Sequence, residues 1–229
     1  MNVVEVGAIA LLGAVLGLDV VSFPQAMLSR PLVAATLTGA FLGAPGPGLL
    51  LGATLECFAL ESLPVGASRY PEWGSSSAVG GALVSLPEAR GAGALMVAVV
   101  VTLGWAWVGG WSMVQLRRLN ASWARARHEA VSRGSRAAVV GLQLYGLTAD
   151  LLRGALMTAT GLLLGVPLMR WALAGWSAPE TLTRGVLMSL AGIVAASATH
   201  KVFHAVPGAR WYMAGGLATG VALLYAMTR

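Results

Sequence analysis

Apolar residues fill this chain in blocks of uneven length, at roughly 3 to 18, 31 to 44, 47 to 63, 76 to 87, 92 to 114, 137 to 169, 183 to 199 and 209 to 227. A helix that crosses a bilayer needs about 20 apolar residues, because the hydrocarbon core is about 30 Å thick. Only 92 to 114, 209 to 227 and parts of 137 to 169 have that length. The blocks between 31 and 87 are shorter and are interrupted by Pro45-Gly46-Pro47-Gly48, Pro64 and Pro71. That pattern predicts broken helices and re-entrant hairpins. Non-helical backbone is tolerated at membrane depth only where protein buries it or where it lines a cavity. The N-terminal third is therefore the expected working part.

Polar and turn-forming residues punctuate this same third: Asp19, Gln25, Ser29-Arg30-Pro31, Glu56, Pro64-Val65-Gly66-Ala67 and Pro71-Glu72. Ionisable groups inside a membrane are expensive and mark a site by default.

Composition agrees with the pattern. The chain is 57% hydrophobic and 10% charged, with a mean hydropathy of +0.75, whereas a soluble protein is about a quarter charged. The expected class is an all-α polytopic membrane protein, with about six to eight crossings or half-crossings. A net charge of +6 could suggest a nucleic-acid partner, but Arg117, Arg118, Arg125, Arg127, Arg133 and Arg136 fall together between two apolar blocks. A basic loop of that kind obeys the positive-inside rule. Residues 115–136, with Trp123 and His128, predict an amphipathic helix at the cytoplasmic face. They divide the chain into a membrane region 1–114, a basic cytoplasmic loop 115–136 and a second membrane region 137–229.

The first block lacks a basic leader and is followed by Asp19, so it reads as a retained helix and not as a signal peptide. Cys57 is the only cysteine, which excludes a disulfide framework and a cysteine-rich metal site. Gly39/Gly43 and Gly161/Gly165 have the spacing that lets helices approach closely. The tryptophans, mostly near block ends, read as interfacial anchors. Arg153-Gly154-Ala155-Leu156-Met157-Thr158 echoes Arg184-Gly185-Val186-Leu187-Met188-Ser189. The echo is either a structural repeat or a product of the narrow apolar alphabet.

Ser29-Arg30-Pro31-Leu32-Val33-Ala34, the later Gly39 and Gly43, Gly52-Ala53-Thr54-Leu55-Glu56, Leu63-Pro64-Val65-Gly66-Ala67 and Pro71-Glu72 together resemble the membrane subunit IIC of the mannose/fructose/sorbose family of bacterial phosphotransferase systems. The resemblance covers roughly residues 13 to 90 and extends more weakly into the segment from Gln143 to Gly165. It implies a multi-pass sugar permease of the bacterial cytoplasmic membrane, acting as an oligomer with a IID membrane subunit. Cytoplasmic IIA and IIB proteins would carry the phosphate, so the chain itself is expected to be no enzyme and to use no cofactor. The residues agree: no phosphate-binding Gly-x-x-x-x-Gly-Lys-(Ser/Thr) loop is present.

If the substrate is a sugar, carboxylates and amides suit its hydroxyls. Asp19, Gln25, Glu56 and Glu72 are the candidate contacts, with backbone around Gly66 at a hairpin tip. Each has a plainer alternative. Glu56 could serve a structural ion pair or cap, Glu72 could be a solvated loop charge, and Pro64 to Ala67 could be an ordinary turn at the membrane exit. Asp19 and Arg30 flank a bend at Pro24, and structural pairing is the expected role of Arg30. Glu61 reads as interfacial. His200 and His204 have the spacing of a two-histidine metal pair but lack a neighbouring glutamate, so no metal is expected. Three rival functions remain: a regulatory or sensing subunit derived from the same system, a membrane-embedded enzyme with Glu56 and Glu72 as acid and base, and a passive structural subunit in which every buried charge is a helix-packing device.

Overall fold

The computed structural model of the protein describes residues 1–60, 69–203 and 206–227. Among these, the chain forms α1 (Val3–Leu18), α2 (Pro31–Phe41), α3 (Pro45–Ala59), α4 (Trp73–Val84), α5 (Gly91–Ala126), α6 (His128–Ser132), α7 (Arg136–Ala174), α8 (Glu180–Phe203) and α9 (Ala209–Met227), with no strand. The protein is all-α, and each apolar block of the sequence corresponds to one helix. Pro64 to Ala67, Glu61 and His204 lie outside the described residues.

Local chemistry sets the helix ends. Asn2 accepts from the Glu5 amide at 2.8 Å while the Glu5 carboxylate accepts from the Asn2 amide at 3.0 Å, a reciprocal pair that satisfies two otherwise orphaned donors. Pro31 and Pro45 open α2 and α3, where the missing N–H costs nothing.

α2 and α3 contain 11 and 15 residues. At 1.5 Å per residue they are about 16 and 22 Å long, short of a full crossing. They form an antiparallel hairpin whose backbones touch through glycine. A Cβ on Gly48 would lie 2.6 Å from the Ala35 carbonyl oxygen, and one on Gly52 would lie 2.8 Å from that of Pro31.

α4 is the centre of the molecule. Every residue from Gly74 to Val84 is buried, which small side chains permit. α1, α2, α3, α5 and α7 all pack on it. α1 also runs antiparallel along α7, where Gly154 meets Ala14 and Gly13 meets Thr158. The Trp105 indole N–H donates to the Met157 carbonyl at 2.8 Å, so this tryptophan ties α5 to α7. α8 presents a buried stripe of Thr183, Leu187, Ala191 and Ala198.

Three helices among the described residues are long and apolar enough to cross a membrane, within α5, α7 and the Glu180–Lys201 part of α8. With 36 and 39 residues, α5 and α7 run to about 54 and 58 Å and must project beyond the hydrocarbon. The basic segment does not form one helix of its own: residues 115 to 126 continue α5, and the short α6 separates them from α7.

At the opposite end of α7, the Arg170 Nε donates to Glu88 at 2.5 Å. That bond holds the Glu88 carboxyl below its ordinary value of 4.5. A lowered pKa gives stability that is present above pH 4.5 and lost as pH falls through the folded value. Because both side chains are well exposed, the pair contributes less than about 1 kcal/mol. Glu88→Gln is expected to melt slightly below the parent protein at pH 7, with the gap closing toward pH 3 in detergent melting curves.

Candidate functional site

A chain of buried polar groups joins the 19–30 loop to α4, α5 and α7. Glu72 caps the N-terminus of α4 and is fully buried. Its Oε1 accepts from the Ser75 amide at 3.1 Å, and its Oε2 accepts from the Ser75 hydroxyl. Its own amide donates to the Ala106 carbonyl at 2.9 Å, which anchors the start of α4 to α5.

Arg153, on α7, reaches the same carboxylate, with Nη1 4.0 Å from Glu72 Oε2. Its Nε donates to Asp150 Oδ1 at 3.0 Å and its Nη1 to the Ser112 hydroxyl at 3.3 Å. Its Nη2 stands 2.9 Å from Asp150 Oδ1 without the alignment of a hydrogen bond. The Ser22 hydroxyl donates to Asp150 Oδ2 at 2.5 Å. One cation thus faces two carboxylates, and Arg153, Asp150 and Glu72 are each at most 9% exposed. Buried charges persist only when paired and hydrogen-bonded, and here one guanidinium hydrogen-bonds Asp150 and Ser112 and stands at ion-pair distance from Glu72. The Ser76 and Ser77 hydroxyls of α4 are buried without a hydrogen-bond partner, and that of Ser76 lies, with Glu72, against Gly109.

The helices come this close because glycines line the site. Gly17 faces the Glu72 and Arg153 side chains, Gly109 faces Glu72, and a Cβ on Gly74 would stand 2.3 Å from the Leu16 carbonyl oxygen.

The sequence-predicted residues fall in different surroundings. Glu72 is in the network. Both oxygens of the buried Asp19 carboxylate accept backbone amides, from Ala26 at 2.7 Å and Ser29 at 2.9 Å, and so hold the loop that carries Ser22. Arg30 pairs with Glu56, and not with Asp19. The other Glu56 oxygen accepts the Leu32 amide at 3.1 Å, which places a carboxylate at the positive end of α2. Gln25 is exposed, has a φ of +60°, and donates to the Val21 carbonyl at 3.0 Å. No hydrogen bond or ion pair joins Gln25, Glu56 and Glu72 to one another among the described residues. Gly66 lies outside the described residues. Among the described residues no three His, Cys, Asp or Glu side chains gather as a metal site.

Asp150, Ser22, Ser75 and Ser112 escaped sequence reasoning. A signal existed for the first of these: Asp150 and Arg153 stand three apart in one long apolar block, the spacing that brings helix side chains together.

A polar pocket of about 420 Å³ adjoins the network and shares Ser22 with it. A larger cavity of about 740 Å³ lies among α3, α5 and α8 and has mostly apolar walls. It shares no residue with the network.

A family model described as the sorbose-specific IIC component of the phosphotransferase system matches residues 3–197. The sorbose-specific EIIC component of Lacticaseibacillus casei is 26% identical over 129 residues, which is 56% of this chain and 45% of that protein. The chain thus aligns with under half the length of this curated relative. Two solved structures share the fold. One membrane protein superposes with a TM-score of 0.74, and a chain from the mannose transporter ManYZ in complex with microcin E492 superposes with a TM-score of 0.63. Each is 20% identical, with 99% of this chain and 96% of the other covered. At that identity the likeness is one of fold.

Proposed function

Because this chain belongs to the sorbose-specific IIC component family of the phosphotransferase system, we propose that it is the subunit that moves a hexose of the mannose and sorbose class across the bacterial cytoplasmic membrane. The observation that carries the reading is the buried Glu72–Arg153–Asp150 network at the junction of three helices and the 19–30 loop. Charges held in a membrane cost several kcal/mol unless they are paired or hydrated, and for that reason they mark candidate transport sites. This network has directional donors and acceptors of the kind that hydroxyls require.

In the proposed cycle the sugar enters against Glu72 and the unpartnered Ser76 and Ser77 hydroxyls. A rearrangement around the short helices then opens the site inward, and a cytoplasmic IIB protein phosphorylates the sugar there. A IID subunit completes the membrane complex. The phosphorylated product, an anion, would be poorly held beside the carboxylates, because like charges repel strongly where the dielectric is low. The partners of Asp19 are the Ala26 and Ser29 amides, and those of Glu56 are Arg30 and the Leu32 amide, so we assign Asp19, Glu56 and Arg30 to holding the 19–30 loop and the α2–α3 hairpin. Gln25, exposed at the bend, is left as a further candidate contact.

Uptake of mannose and sorbose is measured in cells carrying the chain and its partner subunits, with and without IIB. The expected result is accumulation of sugar phosphate only with IIB. Glu72→Gln is expected to lower uptake at least about tenfold, the worth of one charge-assisted hydrogen bond. Glu56→Gln is expected to lower the amount of folded protein more than uptake per folded molecule. Free sugar entering at full rate without IIB, or Glu72→Gln transporting normally, would overturn the proposal.

A further inference from the structure

We infer that the 420 Å³ pocket walled by Ser22, Asn120, Trp123, Gln143 and Gly146 is a second subsite for a neutral hexose, on the cytoplasmic side of the buried network. This inference rests on the transport reading above and extends it to an exit site.

The pocket's volume lies within the range of small-ligand sites, about 300 to 1,000 Å³. Its functional groups are a hydroxyl, two carboxamides, an indole and the backbone at a glycine, all uncharged. Carboxamides both donate and accept, which matches sugar hydroxyls and discriminates against cations and anions. The Trp123 ring supplies a flat apolar face for the C–H side of a pyranose, and Tyr145, 5.9 Å away between ring centroids, backs it.

An independent observation marks Asn120. Its side-chain oxygen is buried and accepts no hydrogen bond. An unsatisfied acceptor is costly, and this one has no surface open to the pocket until the amide turns. The last torsion of an asparagine is soft, and a small turn of the amide offers that oxygen to a ligand hydroxyl.

Position along the helices gives the side of the membrane. Asn120 and Trp123 lie on the end of α5 that carries Arg117, Arg118 and Arg125, and Gln143 lies seven residues into α7 after Arg136. Arginines flanking a span face the cytoplasm. The pocket thus opens where IIB would work. Ser22 ties it to the inner site, since the hydroxyl at the pocket wall is the one that donates to Asp150. A sugar that draws Ser22 toward itself frees Asp150 Oδ2, while Oδ1 keeps its bond to Arg153. Occupancy below would therefore remove one bond from the edge of the network above.

The test is calorimetric binding of mannose and sorbose to the purified complex of the full chain with its membrane partner, beside uptake in cells. Asn120→Leu and Gln143→Leu are each expected to weaken hexose binding on the order of tenfold, the loss of one or two hydrogen bonds. Asn120→Leu is expected to melt no lower than the parent, because it removes an unsatisfied acceptor, so lost binding cannot be ascribed to unfolding. Hexose binding unchanged in both variants overturns the subsite, and so does a parent complex that transports but binds hexose with no contribution from either residue. A parent complex that binds hexose through Asn120 and Gln143 but takes none up supports the subsite and overturns the transport reading. Tighter binding of hexose 6-phosphate than of free hexose would also overturn the inference, since the five groups include no cation to hold a phosphate.

Discussion

Arg153→Leu is expected to remove folded protein from the membrane almost completely. The substitution leaves Glu72 and Asp150, 0% and 1% exposed, without the one cation that faces them both. Breaking a buried ion pair from one side costs about 3 to 5 kcal/mol, because the remaining charge is neither paired nor hydrated. That is a large part of a typical stability of about 5 to 15 kcal/mol. Fluorescence-detected size exclusion and thermal melting in detergent would read the loss. Arg153→Lys is expected to recover part of it: an ammonium keeps the charge but cannot span Asp150, Ser112 and Glu72 as the guanidinium fork does. The triple variant Arg153→Leu, Glu72→Gln, Asp150→Asn removes every charge together and is expected to fold better than Arg153→Leu alone while remaining unable to transport. If Arg153→Leu were as stable as the parent, the network would not be the structural centre described above.

The second large effect is expected at Gly74. Gly74→Val would place a Cβ 2.3 Å from the Leu16 carbonyl oxygen and 2.8 Å from the Gly17 Cα. These are backbone atoms, so no side chain can swing away to make room. Overpacking a filled core costs about 1 to 3 kcal/mol and sometimes more, and α4 has no open side, because Gly74 to Val84 are all buried. Relief requires α1 to move off α4, and Gly17, which faces Glu72 and Arg153, would move with it. The melting temperature should fall by several degrees and uptake should fall further than stability alone explains. Gly185→Val is the control. Nothing lies within 4 Å of a Cβ there, and its expected effect on both readouts is small.

Much of the fold was legible because a bilayer imposes a single strong rule on sequence. Eight apolar blocks became eight helices, and the proline and glycine breaks between 31 and 87 became the short hairpin helices, since prolines that open a helix and glycines that let backbones touch act locally. The basic segment was legible in charge but not in shape. Whether arginines after a span begin a helix of their own or continue the one before them is not recorded in the charge pattern, and here they continue α5.

The site was legible only in part. Glu56 and Glu72 look alike in sequence, each a carboxylate within or beside an apolar block. Folding turned Glu56 onto Arg30 and the amide of Leu32, and buried Glu72 against Ser75 and Arg153. Those partners are 24 to 26 and 81 residues away for all but the Ser75 bond, so no window of sequence could assign them.

The paired Arg-Gly echo states the division most clearly. Sequence alone determined that Arg153-Gly154 and Arg184-Gly185 lie on apolar helices in a membrane protein of this family, because hydropathy and helical period are local properties. Only the tertiary structure made them different. Gly154 lies against Ala14 and brings Arg153 to Asp150 and Glu72, whereas Gly185 meets nothing and Arg184 pairs with Glu180 on its own helix. A charge becomes a buried site or a surface pair according to what another helix sets beside it, and that depends on how the whole chain folds.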